Sequence, residues 1–117
     1  MKIKYSTRKN IHYEQLDDLW KAIGWKPRGK KIWQGVLSKF RFACSAWDGR
    51  FLVGFGRILE DGKMCMFYDI GVHPDYQRRG VGKQIMENLI YKVKNKGYVS
   101  IGLFTWNKNP KNINYYK

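Results

Sequence analysis

Met64-Cys65-Met66-Phe67-Tyr68-Asp69-Ile70-Gly71-Val72, then His73-Pro74-Asp75-Tyr76, then Gln77-Arg78-Arg79-Gly80-Val81-Gly82-Lys83, is the stretch on which the fold turns. The first part is an apolar run that reads as a strand. The second is a proline turn. The third is basic and glycine-rich, and it opens a periodic segment. Val81, Ile85, Met86, Leu89, Ile90 and Val93 fall on one helical face, and Gly97 follows as a C-terminal cap. Strand, basic glycine turn and helix together make a cradle for a pyrophosphate. Glycines allow close backbone approach, the first amides of the helix point outward, and the helix dipole favours an anion there. Arginines add charge-assisted hydrogen bonds. The spacing differs from the nucleoside-triphosphate loop, and no hydroxyl follows Lys83 to hold magnesium.

Working upstream, Phe51–Leu59 and Phe40–Trp47 read as strands joined by the hairpin turn Asp48-Gly49. Glu60-Asp61-Gly62 turns the chain into Met64–Val72, so three antiparallel strands follow one another. Nearer the N-terminus, Lys2–Tyr5 is a short first strand. Leu16, Leu19, Trp20 and Ile23 keep helical spacing, which predicts a helix over Tyr13–Ile23 that Gly24 ends. A loop, Trp25-Lys26-Pro27-Arg28-Gly29, leads to a second helix carrying Ile32, Trp33, Val36, Leu37 and Phe40. Downstream, Tyr98–Phe104 is a fifth strand, reached by a parallel right-handed crossover through the helix that starts at Val81. The expected class is α+β, a mixed sheet with helices, in one domain over residues 1–117.

Composition agrees with a folded domain: 44% of the 117 residues are hydrophobic and 16% aromatic, too apolar for disorder. No apolar run approaches the ~20 residues that cross a bilayer. The N-terminus, Met1-Lys2-Ile3-Lys4-Tyr5, lacks the apolar stretch of a secretory signal, so a cytoplasmic location without membrane contact is expected. Cys44 and Cys65 sit inside apolar strands and read as reduced, buried small hydrophobes; no metal-ligand spacing accompanies them. The formal net charge is +14, from 23 basic and 9 acidic residues. A charge of that size attracts anions and leaves a nucleic-acid partner open, although the cations are scattered and no RNA-stacking motif is present.

The pattern Val72-x-Pro74-x-x-Gln77-x-x-Gly80-x-Gly82 after a strand resembles the acetyl-CoA site of the GNAT N-acetyltransferases, and the resemblance runs from about Phe51 to Tyr116. It implies the order β1-α1-α2-β2-β3-β4-α3-β5-α4, with a sheet that splays between its fourth and fifth strands around the pantetheine arm. Ile70, Gly71 and Val72 would then give backbone contacts to that arm. Gln77, Arg78, Arg79, Gly80, Val81, Gly82 and Lys83 would hold the pyrophosphate. A bulge near Gly71 would turn an amide toward the thioester oxygen. The implied reaction moves the acetyl group of acetyl-CoA to a primary amine of a small molecule or peptide by direct attack in a ternary complex. Asn109 and Tyr116 have the seven-residue offset of a family cofactor contact and proton donor on the fourth helix, with Tyr115 as a packed neighbour. Some relatives carry a glutamate on the fifth strand where Phe104 stands here.

Elimination among nine acids leaves Asp69, the one inside the central strand, for the base; a structural acid paired with Arg57 or a lysine fits it equally. Glu14, Asp17 and Asp18 read as the polar side of the first helix. Trp25, in the loop before Pro27, is the candidate acceptor contact, in a cationic and aromatic wall that favours aromatic amines or acidic acceptors. The Leu52–Arg57 and Tyr68–Val72 runs look like the small-amine and arylalkylamine branch. The family normally continues past the tyrosine helix with Gly-Phe and two more strands, whereas this sequence ends at Lys117. A shortened chain would expose a strand edge, so a homodimer or low stability is expected. A CoA-binding protein without turnover and a basic nucleic-acid module stand as alternatives. No metal is implied.

Overall fold

A computed structural model describes residues 2–8, 10–39, 41–98 and 100–103. In chain order the elements are β1 (Lys4–Ser6), α1 (Tyr13–Ile23), α2 (Gly29–Lys39), β2 (Phe42–Asp48), β3 (Phe51–Glu60), β4 (Met64–Val72), a 3-10 turn (Pro74–Tyr76), α3 (Val81–Val93) and β5 (Ser100–Leu103). The five strands form one sheet in the order β1-β2-β3-β4-β5. The first three junctions are antiparallel, and β4 and β5 are parallel with α3 as the crossover. This is the expected α+β class. The expected fourth helix, with Asn109 and Tyr116, lies outside the described residues.

Boundaries moved where pairing overrode local pattern. The first ladder runs Lys4↔Trp47 to Ser6↔Ser45 rather than over Lys2–Tyr5. The helix α2 ends at Lys39 and β2 runs from Phe42; Phe40, the expected start of that strand, lies outside the described residues. His12 starts α1: its Nδ1 accepts the Glu14 amide at 3.3 Å, and its own amide donates to Gln15 Oε1 at 3.0 Å. Gly24 (φ 95°) ends that helix and returns its amide to the Trp20 and Lys21 carbonyls.

Both sheet faces are covered. On one, α3 packs Val81, Ile85, Leu89 and Val93 against Cys44, Ile58, Phe67 and Ile70. On the other, α1 and α2 bring Leu16, Leu19, Trp20 and Trp33 onto Ala43, Leu52 and Phe55. This explains why β3 is buried continuously from Leu52 to Gly56 instead of alternating. The helix α3 lies very close to β3: a methyl group on Gly54 would meet Ile85 Cδ1 at 2.8 Å and Val81 Cγ1 at 3.1 Å. Ile90, expected on the core face, is 45% exposed. The buried stripe is set by Val81, Ile85, Leu89 and Val93, and Ile90 falls about 100° off it. Both cysteines are free and buried, and burial pushes each thiol above its usual range.

Candidate functional site

The site begins in β4. Phe55 pairs with Gly71, but Arg57 pairs with Tyr68, so β4 carries one extra residue between these pairs. That bulge centres on Asp69, whose φ of 57° is left-handed. It changes which face the strand presents. Phe67, Ile70 and Val72 point to the α3 layer. A methyl group on Gly71 would meet Ile23 Cδ1 at 2.7 Å and Trp25 Cζ3 at 2.9 Å, so its open side faces the α1–α2 layer. Asp69 also turns to that side, where Arg57 Nε donates to its Oδ2 at 2.6 Å and the Arg57 guanidinium lies 5.4 Å from the Tyr68 ring centre. Strict alternation from Phe67 would have sent Asp69 into the apolar α3 layer.

Beyond the bulge, His73 donates its amide to the Val53 carbonyl at 2.8 Å. Alternation therefore directs the polar groups of Val72 away from β3. The Val72 carbonyl accepts the Gln77 side chain at 2.9 Å, so Gln77 folds back on the strand end. Among described residues the β4–β5 ladder spans Met64↔Ser100 to Phe67↔Leu103. Tyr68–Val72 extends past it.

The turn that follows is cationic and open. Gln77, Arg78, Arg79, Gly80 and Lys83 are exposed, while Val81 and Gly82 are buried at the helix start. Arg78 holds φ 63° and Gly80 φ 80°. No side chain caps α3 at Gly80, and no acid stands in its first turn. A helix N-terminus normally recruits an acceptor or an acid. Here arginine and lysine surround it instead, so the arrangement suits an anion supplied from outside. Two further contacts brace the turn. The Tyr76 hydroxyl donates to Asp48 in the β2–β3 hairpin, which pushes the Tyr76 phenol above its ordinary range. The Arg79 guanidinium lies 5.8 Å from the Tyr76 ring centre.

The opposite wall is the α1–α2 loop. Trp25 is half-buried, edge-on to Trp20 with ring centres 5.0 Å apart, and it covers Gly71. This brings the expected acceptor-contact residue beside the expected strand contacts. Asp17 secures the loop, and here the sequence reading is corrected: Asp17 is buried, not on a solvated face. Its Oδ1 accepts the Arg28 amide at 2.8 Å and Trp33 Nε1 at 2.7 Å, and its Oδ2 accepts the Gly29 amide at 2.9 Å. Burial alone would raise this carboxyl, but the Trp33 bond, the two amides and Lys21 outweigh it and hold it below the usual range. A hint was available, since Asp17 stands three residues before Trp20 and so borders the apolar stripe. The Asp48–Tyr76 tether joins residues 28 apart and had no sequence signal.

Among the described residues, the turn, the bulged strand and Trp25 are brought together; Asn109 and Tyr116 lie outside them. The model of the acetyltransferase (GNAT) family matches residues 10–117. The chain is 28% identical to an N-acetyltransferase, ycf52, of Gracilaria tenuistipitata var. liui over 120 residues, covering 98% of this chain and 63% of that one. It therefore spans less than two thirds of that relative. A GNAT-family acetyltransferase of Streptococcus pneumoniae superposes with a TM-score of 0.81 at 27% identity, covering 98% of this chain and 83% of that one. A probable acetyltransferase of methicillin-resistant Staphylococcus aureus gives 0.84 at 24% identity, over 98% and 88%, and shares the fold. With the family pattern matched from the start of α1 to Lys117, this chain belongs to the acetyltransferase (GNAT) family.

Proposed function

We propose that the protein transfers the acetyl group of acetyl-CoA to a primary amine of a small molecule or peptide. The observation that carries this reading is the uncapped, acid-free start of α3, ringed by Arg78, Arg79 and Lys83 at the open end of β4. Those residues fit a pyrophosphate, with Gly80, Val81 and Gly82 lending backbone amides. Gln77 contributes by bracing the strand end. The Val72 backbone, directed away from β3, suits the pantetheine arm, with Ile70 and Gly71 beside it. Acetyl-CoA supplies an activated thioester.

The chain's own residues then have distinct tasks. Trp25 lines the acceptor side. Asp69 takes a proton from the attacking nitrogen as the new N–C bond forms and the C–S bond breaks. Tyr116 donates a proton to the departing thiolate, and Asn109 contacts the cofactor. On this reading the acceptor wall favours aromatic amines or acidic acceptors, and the cell compartment is the cytoplasm. The described helices include none long and apolar enough to cross a membrane.

Titration calorimetry with acetyl-CoA, followed by thiol detection over an amine panel, tests the proposal. Binding with turnover supports it. Binding without turnover identifies a CoA-binding relative that has lost catalysis. Absence of binding refutes the reading.

A further inference from the structure

We infer that Arg57 is a positioning residue for the acceptor amine: it grips one oxygen of Asp69 and thereby aims the other at the ammonium group of the incoming substrate. The inference rests on the acetyl-transfer reading above. It starts from the bulge. Asp69 adopts a left-handed backbone that most side chains disfavour. The result is a carboxylate moved out of the apolar α3 layer onto the face that carries Gly71 and Trp25.

Arg57 fixes that carboxylate. Nε meets Oδ2 at 2.6 Å, and the guanidinium plane is held by Tyr68. No described residue bonds Oδ1, and the Asp69 side chain is 28% exposed, so this oxygen is within reach of a substrate. A guanidinium is planar and binds through a fixed fork, so it sets the orientation of the carboxylate as well as its charge. The surrounding protein carries +14 and repels ammonium ions. A carboxylate aimed into the cleft offsets that repulsion at one spot. The acceptor class is thus a primary amine that arrives as its ammonium ion. Oδ1 takes one ammonium proton as the freed lone pair forms the N–C bond, the thiolate leaves with the C–S electrons and is protonated by Tyr116, and the second nitrogen proton replaces, through solvent, the one Tyr116 gave up.

The experiment is a double-mutant cycle with Arg57→Gln, Asp69→Asn and the pair together, with Arg57→Lys as the conservative variant. The assay is thiol release from acetyl-CoA with 2-phenylethylamine, spermidine and a tripeptide bearing a free N-terminus; the fastest wild-type acceptor is carried forward. Arg57→Gln is expected to lower kcat/KM for the acceptor about 10- to 100-fold, the scale of a misplaced reacting group. The acetyl-CoA KM stays unchanged, and Arg57→Lys recovers part of the loss. The double variant is expected to be no worse than Asp69→Asn alone, because Arg57 acts through Asp69. Additive losses, or a rise in acetyl-CoA KM matched by a lower melting point, would overturn the inference in favour of a purely structural ion pair. Wild-type turnover with normal Arg57→Gln kinetics refutes the positioning role alone. A wild type that neither binds acetyl-CoA nor releases thiol refutes the transfer reading and this inference with it.

Discussion

Replacing Asp17 by Asn tests whether the α1–α2 loop is held by charge. The substitution keeps the shape and one acceptor oxygen. In the native site Oδ1 takes two donors, the Arg28 amide and Trp33 Nε1, and Oδ2 takes the Gly29 amide. Hydrogen bonds to an ionised group contribute about 1.5–3 kcal/mol and neutral ones about 0.5–1.5, so each of the two retained bonds weakens by about 1 kcal/mol. The new amide nitrogen faces the Gly29 N–H, donor against donor, and leaving that amide unsatisfied adds about 1 kcal/mol or more. The expected loss is about 3 kcal/mol, a large share of the roughly 5–15 kcal/mol that holds a small domain together. Asp17→Ala should cost more, since all three donors lose their acceptor.

Urea denaturation followed by tryptophan fluorescence measures it, and pH supplies a second arm. The folded Asp17 carboxyl lies below its usual range. Its contribution is therefore fully present above the unfolded value of about 4 and is lost as pH falls through the lower folded value. The gap between wild type and Asp17→Asn should be widest near neutrality and shrink in acid. A difference under about 0.5 kcal/mol at pH 7, the range of ordinary surface changes, would show that the charge does not hold the loop.

Arg78→Gly should relieve the left-handed strain at φ 63° and raise stability slightly, while acetyl-CoA affinity falls; affinity equal to wild type by calorimetry would remove Arg78 from the pyrophosphate site. Gly54→Ala should cost about 1–3 kcal/mol, because its methyl would drive Ile85 and the stiff Val81 side chain from β3. Displacing the start of α3 should weaken acetyl-CoA binding in parallel, and an unchanged denaturation midpoint would contradict the close packing. Tyr116→Phe should lower turnover roughly ten- to several-hundred-fold with little change in cofactor affinity. Tyr115→Phe should matter much less, and equal effects of the two would sink the assignment of the proton donor.

The parts of this fold that follow from local periodicity could be read in advance. The apolar stripes of α1 and α3, the Asp48-Gly49 hairpin and the glycine-rich turn each declare themselves within about a dozen residues. The elements that failed depend on distant partners. The first ladder falls at Lys4–Ser6 rather than Lys2–Tyr5, because pairing with β2 sets it. Asp17 looks solvated on a helical projection, yet the loop after α1 folds back and offers it two amides. The Arg57–Asp69 pair, one of the two readings of Asp69, did not fail: it forms across 12 residues because the bulge register puts both on one face.

That bulge explains more than one misfit at once. Asp69 and Arg78 are the non-glycine residues with positive φ among those described. They bracket the open end of β4: one turns a carboxylate onto Arg57, the other bends the turn that starts α3. Strained backbone of this kind persists only where the surroundings over-determine it. Here they do. The β3–β4 ladder and the Arg57 bond lock Asp69. The Gln77–Val72 bond and the Tyr76–Asp48 tether lock the turn just before Arg78. Local preference is overruled at two points nine residues apart, and both belong to the site proposed for the acyl donor and the amine. Conflict between local propensity and global fold is expected at functional positions. The two strained residues therefore support the proposed site on grounds separate from the motif.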